Sequence, residues 1–154
     1  MADLIKFTRD YEQIIPLWQE AFGDSEDDVL FFLNGCKNKK CLGYYKGERL
    51  VSMMFLVDCL CDGKDMKYIY AASTLKSEQG KGYMSKLLDY CRKNAGSFCL
   101  VPADESLVTF YEKRGMADKT ETFLLSFDED EEIKEYLLEG CSLEKPFVMQ
   151  YFRK

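Results

Sequence analysis

Histidine is absent from this chain of 154 residues. Serine or cysteine nucleophiles that need an imidazole base are therefore excluded, and so is a histidine general base. The seven cysteines include no Cys-x-x-Cys pair, so we predict no metal site. Any chemistry must then use carboxylates, tyrosine, backbone groups, water or a bound cofactor.

Long apolar runs are also missing. The longest, from Val51 to Leu60, is interrupted by Ser52 and Asp58 and is too short to cross a bilayer. The N-terminus lacks the basic start and apolar middle of a signal peptide. We therefore predict a cytoplasmic protein with no membrane association, in which the odd number of cysteines remain free, mostly buried thiols.

The chain has fewer basic residues (21 Lys and Arg) than acidic ones (27 Asp and Glu), so its net charge is −6. This balance argues against nucleic acid as a partner and is compatible with a cationic substrate. The composition, 47% hydrophobic and 31% charged, is that of a globular protein. No linker or repeat divides the chain, so we predict a single domain over residues 1–154.

Two helices are predicted near the N-terminus. Asp10 and Gln13 resemble a capping box at the start of the first helix, which Gly23 ends. The second helix is short, and either Asp24 or Ser25 caps it.

Strands and helices follow in a mixed order. The turns at Lys46-Gly47 and Asp62-Gly63 separate three strand-like segments, which predicts an antiparallel meander. Strands are predicted at 4–7, 40–45, 49–61, 66–74, 97–101, 120–127 and 146–152. Further helices are predicted from 83, around 107–111 and at 133–138. This order predicts a mixed α/β sheet.

A glycine-containing loop, Gln79-Gly80-Lys81-Gly82, lies between a predicted strand and the helix that follows. Glycine allows close backbone approach, and a helix start presents unpaired N–H groups, so this loop suits a phosphate. A tight turn without a ligand is the alternative interpretation. Neither common nucleotide motif is present, because a G-x-G-x-x-G pattern starting at Gly80 ends in Ser85.

Two segments carry a family resemblance. Y-I-Y-A-A-S-T-L-K-S-E-Q-G-K-G-Y-M-S-K-L-L (68–88) and F-Y-E-K-R-G-M (110–116) resemble signature regions of the GNAT superfamily of acyl-CoA N-acyltransferases. The stretch Trp18 to Ser25 looks like one bacterial subgroup of it. The resemblance covers nearly the whole chain. It implies an α/β (α+β) fold with a mixed, mostly antiparallel sheet flanked by helices.

The resemblance also implies an activity, transfer of the acetyl group of acetyl-CoA to an amine. Backbone N–H groups of the loop would hold the CoA pyrophosphate, and the strand backbone near Ser73 and Thr74 would pair with pantetheine. Tyr111 would protonate, or hydrogen-bond to, the departing thiolate. The cofactor-binding residues so implied are Ser73, Thr74, Gln79, Gly80, Lys81, Gly82, Tyr83 and Met84.

Some positions depart from the family pattern. Met84 replaces a small residue, Lys76 stands where proline is common, and Asp104 and Leu107 replace the usual asparagine and alanine. A CoA-binding sensor or partner module with little catalysis is therefore a second hypothesis. A structural domain with an empty loop is the third.

The acceptor and the base stay open at this stage. The acceptor is expected to be a small-molecule amine or a lysine-type amine. Water is one candidate base, and the carboxylates considered are Glu26, Asp27, Asp28 and Glu105. The apolar C-terminal segment 146–152 either completes the sheet or pairs across a possible homodimer, because exposed strand edges are usually covered.

Overall fold

A computed structural model describes residues 2–153, which form eight strands and five α-helices. The strands are β1 (Asp3–Thr8), β2 (Lys39–Lys46), β3 (Arg49–Cys61), β4 (Lys64–Thr74), β5 (Phe98–Leu100), β6 (Asp118–Glu121), β7 (Leu125–Ser126) and β8 (Phe147–Tyr151). The helices are α1 (Tyr11–Phe22), α2 (Glu26–Gly35), α3 (Tyr83–Asn94), α4 (Glu105–Glu112) and α5 (Glu131–Leu138).

The strands form one sheet in the order β1-β2-β3-β4-β5-β8-β6, and β7 pairs with β3 beside this path. Every pairing is antiparallel except that of β4 with β5. The predicted class, a mixed and mostly antiparallel sheet flanked by helices, is confirmed.

Each face of the sheet carries its own hydrophobic core, because side chains alternate along a strand. On β3, Phe55 and Val57 belong to the core under α1, α2 and α5. Met54 and Leu56 belong to the core under α3 and α4. The sheet is therefore covered on both sides.

The meander was predictable because its turns are local. Asp62 and Gly63 join β3 to β4 with positive φ angles of 52° and 75°. Such a pair matches the twist of a two-residue hairpin, and Asp-Gly is a sequence that tolerates it. The antiparallel pairing of β2, β3 and β4 confirms the predicted meander.

The single strand predicted over 120–127 was wrong. β6 pairs with β8, a 3₁₀ turn occupies Thr122–Leu124, and β7 then pairs with the end of β3. The side chain of Phe123 at this turn is 75% exposed, which breaks the alternation expected of a strand. The segment changes partner because β2 no longer pairs with β3 beyond Val57, leaving that edge free for β7.

The predicted capping box at Asp10 was also wrong. The Asp10 carboxylate accepts from Gln13 Nε2 at 2.8 Å and caps no backbone N–H. The Gln13 amide donates to the carbonyl of Glu48 and accepts from the N–H of Leu50. Gln13 therefore ties α1 to the β2–β3 turn. Ser25, one of the two predicted caps, accepts from the N–H of Asp28 at the start of α2.

The C-terminal strand lies inside the sheet, with β5 on one side and β6 on the other. Of the two predicted possibilities for this segment, completion of the sheet is the one observed. The homodimer stays a prediction without support from this edge. Within residues 2–153, no helix combines the length and apolar character needed to cross a membrane.

A buried carboxylate joins α2 to α5. Glu129, only 7% exposed, accepts from the N–H of Lys37 at 2.6 Å and from the N–H of Asn38 at 2.9 Å. The Asn38 side-chain amide donates to the same carboxylate at 3.1 Å. Charged acceptors of several N–H groups are among the stronger hydrogen bonds in proteins. This contact fixes the start of α5 against the chain that leaves α2.

Glu129→Ala is expected to lower the free energy of unfolding by about 2 kcal/mol, because the N–H groups of Lys37 and Asn38 lose their acceptor. Urea denaturation would measure the change. Asp128→Ala removes a neighbouring exposed carboxylate that makes no such contact, and its effect should stay within about 0.5 kcal/mol. Equal effects of the two variants would contradict the role of Glu129.

Candidate active site

The sheet opens between β4 and β5. The two strands pair only at Lys67 with Phe98 and at Tyr68 with Cys99. Beyond these pairs, residues of β4 from Ile69 to Ala72 and the chain from Leu100 to Ala103 line opposite walls of a cavity of about 720 Å³. A ligand can therefore reach the unpaired backbone edge of β4.

A β-bulge interrupts β4 at this opening. Ala71 and Ala72 together lie opposite Met54 of β3, since the register passes from Tyr70–Phe55 to Ser73–Met53. Ala71 has φ of +54°, a left-handed conformation that is unfavourable for a residue with a Cβ. Strain of this kind is worth about 1–3 kcal/mol and is concentrated at functional sites. Two adjacent small residues, Ala71 and Ala72, are the only mark of this bulge in the sequence.

The backbone groups of Ser73 and Thr74 face opposite ways. The N–H of Leu75 donates to the carbonyl of Val51, and antiparallel pairs alternate in hydrogen bonding. Ser73 therefore faces β3, whereas the N–H and C=O of Thr74 face the unpaired edge. The Thr74 carbonyl accepts a long bond, 3.4 Å, from the side-chain amide of Gln79.

The glycine loop follows directly on β4 and a short 3₁₀ turn at Lys76–Glu78. Gly80 and Gly82 have φ of +79° and +81°, so both require the freedom of glycine. A Cβ built at either position would meet no atom within 4 Å, which leaves open space beside the loop. Gly82 is also the N-cap of α3.

The start of α3 offers free hydrogen-bond donors. Lys86 is the first residue of the helix whose N–H finds a carbonyl, that of Gly82. Within residues 2–153, the N–H groups from Gly80 to Ser85 donate to no protein acceptor. Together with the positive end of the helix dipole, they can hold an anion such as phosphate.

The charge of Lys81 is partly compensated. Its Nζ lies 2.8 Å from Oε2 of the buried Glu78, and Lys46 Nζ lies 3.4 Å from the other oxygen. The hydrogen bond from Lys81, with help from Lys46, holds the pKa of Glu78 below its ordinary value. The loop therefore offers an anion mainly backbone donors, not a free lysine.

The side chains that begin α3 pack inward. Tyr83 is buried with its ring 4.4 Å from that of Tyr44, measured between centroids. Met84 packs, partly buried, against the core under α3 and α4. The methionine that departs from the family pattern therefore contributes to packing.

Tyr111 of α4 lines the cavity. Its side chain is 6% exposed, and burial raises its pKa to about 12. Its hydroxyl makes no hydrogen bond to protein among the described residues. Within the same residues, every fully buried side-chain oxygen has a hydrogen-bond partner. The Tyr111 hydroxyl is therefore not fully buried and is open to the cavity that the residue lines. A neutral phenol in this position can donate a hydrogen bond to a ligand.

Asp104 has a structural role. Its Oδ1 accepts from the N–H of Leu107 at 3.2 Å and from the hydroxyl of Ser106 at 2.5 Å, which makes it the N-cap of α4. These bonds, that of Ser106 first, lower its pKa. Leu107 lines the cavity beside Tyr111.

The far end of the cavity is aromatic. The side chains that line it are Trp18, Tyr70 and Tyr136. The distance between ring centroids is 5.8 Å for Trp18 and Tyr70 and 6.1 Å for Tyr70 and Tyr136. The indole N–H of Trp18 donates to the carboxylate of Asp24 at 2.8 Å. α1, β4 and α5 thus meet at one aromatic wall.

Four carboxylates line the same cavity, those of Asp24, Asp28, Glu132 and Glu139. Of the candidate bases, Asp28 is therefore in place, whereas Glu26, Asp27 and Glu105 do not line the cavity. Sequence reasoning missed Asp24, Glu132 and Glu139 as site residues, because no local pattern brings α5 beside α1 and α2. Over residues 2–153, no group of three metal-ligating side chains is found.

The raised pKa of Tyr111 predicts a loss of stability at alkaline pH. The phenol has a pKa of about 10 when unfolded and about 12 in the fold, so the folded state holds the proton more tightly. This stabilisation is complete below pH 10 and is lost as the pH rises through 12. Between these values, Tyr111→Phe should reduce the slope of unfolding free energy against pH, by up to about 1.4 kcal/mol per unit. Parallel curves for the two proteins in urea denaturation would contradict the prediction.

A family model identifies the family of this chain. Residues 6–117 match the family model described as acetyltransferase (GNAT) domain. No curated protein sequence matches the chain.

Solved structures share the fold. A putative N-acetyltransferase from Lactobacillus plantarum aligns with a TM-score of 0.64 and 16% identity over 98% of each chain. A GNAT N-acetyltransferase from Escherichia coli in complex with CoA aligns with a TM-score of 0.57 and 15% identity, over 75% of this chain and 69% of that one. A probable N-acyltransferase from Enterococcus faecalis aligns with a TM-score of 0.60 and 16% identity over 77% of this chain, which spans only 34% of that protein.

At these identities the structural matches establish the fold alone, whereas the family model covers most of the chain. The opened sheet, the bulged β4 and the glycine loop at the start of α3 lie within the matched region. The chain belongs to the GNAT acetyltransferase family.

Proposed function

We propose that the protein transfers the acetyl group of acetyl-CoA directly to a primary amine, carried by a small molecule or by a lysine-type side chain. The observation that carries this proposal is the free hydroxyl of Tyr111 in the gap between β4 and β5. A proton donor in this gap stands beside an unpaired strand edge that can accept an extended ligand.

The glycine loop is the proposed site for the pyrophosphate of CoA. The N–H groups of Gly80, Lys81, Gly82, Tyr83 and Met84 supply the donors, and Gln79 precedes them. The support is that these N–H groups have no protein acceptor and that both glycines have open space beside them. Lys81 contributes through its backbone, because its ammonium is engaged by Glu78.

The edge of β4 is the proposed site for pantetheine. Thr74 presents its N–H and C=O to the opening, and Ser73 orients this stretch through its pairing with β3. Acetyl-CoA supplies an activated acyl group, and the protein contributes position and electrostatics. A backbone N–H on this edge polarises the thioester carbonyl.

The reaction forms one bond and breaks another. The neutral amine nitrogen attacks the carbonyl carbon, a C–N bond forms, and the C–S bond breaks. The CoA sulfur leaves as a thiolate and takes a proton from Tyr111, which recovers it from water. The amine nitrogen loses its surplus proton to water or to Asp28, the candidate base that lines the cavity.

We also assign the protein to the cytoplasm, with no nucleic-acid or membrane partner. All seven cysteines are free, as expected in a reducing compartment. The net charge of −6 disfavours nucleic acid.

Changing both loop glycines tests the pyrophosphate site. Gly80→Ala with Gly82→Ala strains two left-handed positions and adds a Cβ where the anion would lie. The Kd for acetyl-CoA should therefore rise tenfold or more, and tenfold corresponds to a loss of about 1.4 kcal/mol in binding free energy. Calorimetric titration would measure it. An acetyl-pantetheine lacking the nucleotide should bind both proteins alike.

Gly96→Ala is the matched control for the glycines. Gly96 follows the other end of the same helix, has φ of +75° and also has open space around it. Its substitution introduces similar strain at a distance from the loop. A similar loss of acetyl-CoA affinity in this control would attribute the effect to general destabilisation.

Tyr111→Phe tests the proton donor. Loss of the hydroxyl should lower kcat by roughly a hundredfold while the Kd for acetyl-CoA stays nearly constant. Steady-state kinetics at saturating acceptor, with binding measured separately, would separate the two. Unchanged turnover would remove Tyr111 from the mechanism. CoA binding without turnover in the unaltered protein would favour the sensor module.

A further inference from the structure

We name the far end of the cavity, at Trp18, Tyr70 and Tyr136, the acceptor end. Beyond the β4 bulge, its walls come from α1, α2, α5 and the residues that follow α5. Apolar side chains at this mouth remain unusually open, with Phe22 46%, Phe31 40% and Leu138 41% exposed. Large apolar side chains gathered at a cavity mouth are typical of a surface that a ligand covers.

Negative charge at this end is unopposed. None of the four cavity carboxylates forms an ion pair with a lysine or arginine of residues 2–153. Among residues 2–153, no lysine or arginine lines the cavity. Elsewhere on the chain, exposed carboxylates such as Asp58 and Glu112 do have lysine partners.

The negative potential extends into the cavity. Burial first, and then the charges of Asp24, Asp28 and Glu139, raise the pKa of Tyr136 to about 12. Burial raises the pKa of Tyr70 as well, and Asp24 and Glu139 add to the rise. Aromatic walls that exclude water strengthen such interactions relative to an open surface.

The attack on the thioester requires an uncharged nitrogen, whereas the four carboxylates favour a positively charged group on the acceptor. The nitrogen that attacks the thioester must be uncharged, so it cannot satisfy the carboxylates in the reactive state. A second ammonium group on the same molecule can do so. The faces of Trp18, Tyr70 and Tyr136 would favour that cation and cover the carbon chain that connects it to the reacting nitrogen.

We propose that the acceptor is a small aliphatic diamine or polyamine, acetylated at one nitrogen while a second, protonated nitrogen binds among Asp24, Asp28, Glu132 and Glu139. The inference rests on the proposed function and specifies its substrate class. An acceptor with a carboxylate in place of the second amine would be repelled by the same four groups.

Three acceptors of equal chain length test the proposal. 1,5-Diaminopentane carries the second ammonium on its fifth carbon, the fifth carbon of 1-aminopentane is a methyl group without it, and the fifth carbon of 5-aminopentanoate is a carboxylate. The kcat/KM values, measured by chromatographic detection of CoA, should fall in that order. The diamine should exceed the monoamine by about tenfold or more, and the ratio should shrink at high salt.

Paired substitutions assign the selectivity to the cavity. Glu132→Gln with Glu139→Gln removes two of the four charges and leaves the candidate base Asp28 in place, and neither side chain makes a hydrogen bond within residues 2–153 that would be lost. The diamine-to-monoamine ratio should fall toward one. Asp27→Asn with Glu135→Gln makes the same change of charge on α2 and α5 outside the cavity, and should keep the ratio.

The outcomes separate this inference from the proposed function. Acetylation with equal preference for all three amines, or with preference for the carboxylate compound, would overturn the diamine assignment and leave the acetyltransferase intact. If no amine is acetylated, the proposed function fails. Calorimetric titration of the three amines into the CoA-saturated protein then decides the charge selectivity alone: selective binding of the diamine supports it, and equal binding overturns it.

Discussion

The separation of β4 from β5 is the constraint on which the rest of this molecule depends. The two strands share only two paired positions within residues 2–153, and the bulge at Ala71 and Ala72 lies in β4 just past the last of them. The left-handed Ala71 persists because the surrounding sheet holds it: β3 pairs with β4 on both sides of the bulge. Because helices cover both faces of the sheet, the gap between β4 and β5 forms a cavity. The same gap on an uncovered sheet would be a surface groove.

Residues of the cavity wall also belong to the core. Trp18 is 1% exposed, packs at tilted ring angles against Phe32 and Phe55 at centroid distances of 5.3 and 5.6 Å, and still lines the cavity. The aromatic end of the cavity is therefore stabilised by the same contacts that hold α1 and α2 against the sheet. Substitutions of these aromatic residues would alter stability and the shape of the cavity together, whereas Asp28, Glu132 and Glu139 can be changed with little effect on the core.

Sequence reasoning succeeded where the determinant is local. Asp62-Gly63 specifies its hairpin by backbone preference, and Gly80 and Gly82 mark a left-handed loop before a helix. It failed where the determinant is a distant partner. β7 exists because β3 extends past β2, and Glu132 reaches the cavity because α5 packs beside α2. The family resemblance predicted the fold. The acidic and aromatic side chains at the far end of the cavity come from separate elements, and only the structure shows that they lie together.

The position of β8 has a consequence for the order of folding. β5 is three residues long and has β4 on one side and β8 on the other, so much of its support comes from residues 147–151. During synthesis the meander can form as soon as β4 leaves the ribosome, because its contacts are local. β5 must wait for a strand that is made almost fifty residues later. The opening between β4 and β5 is thus the last part of the sheet to acquire its shape.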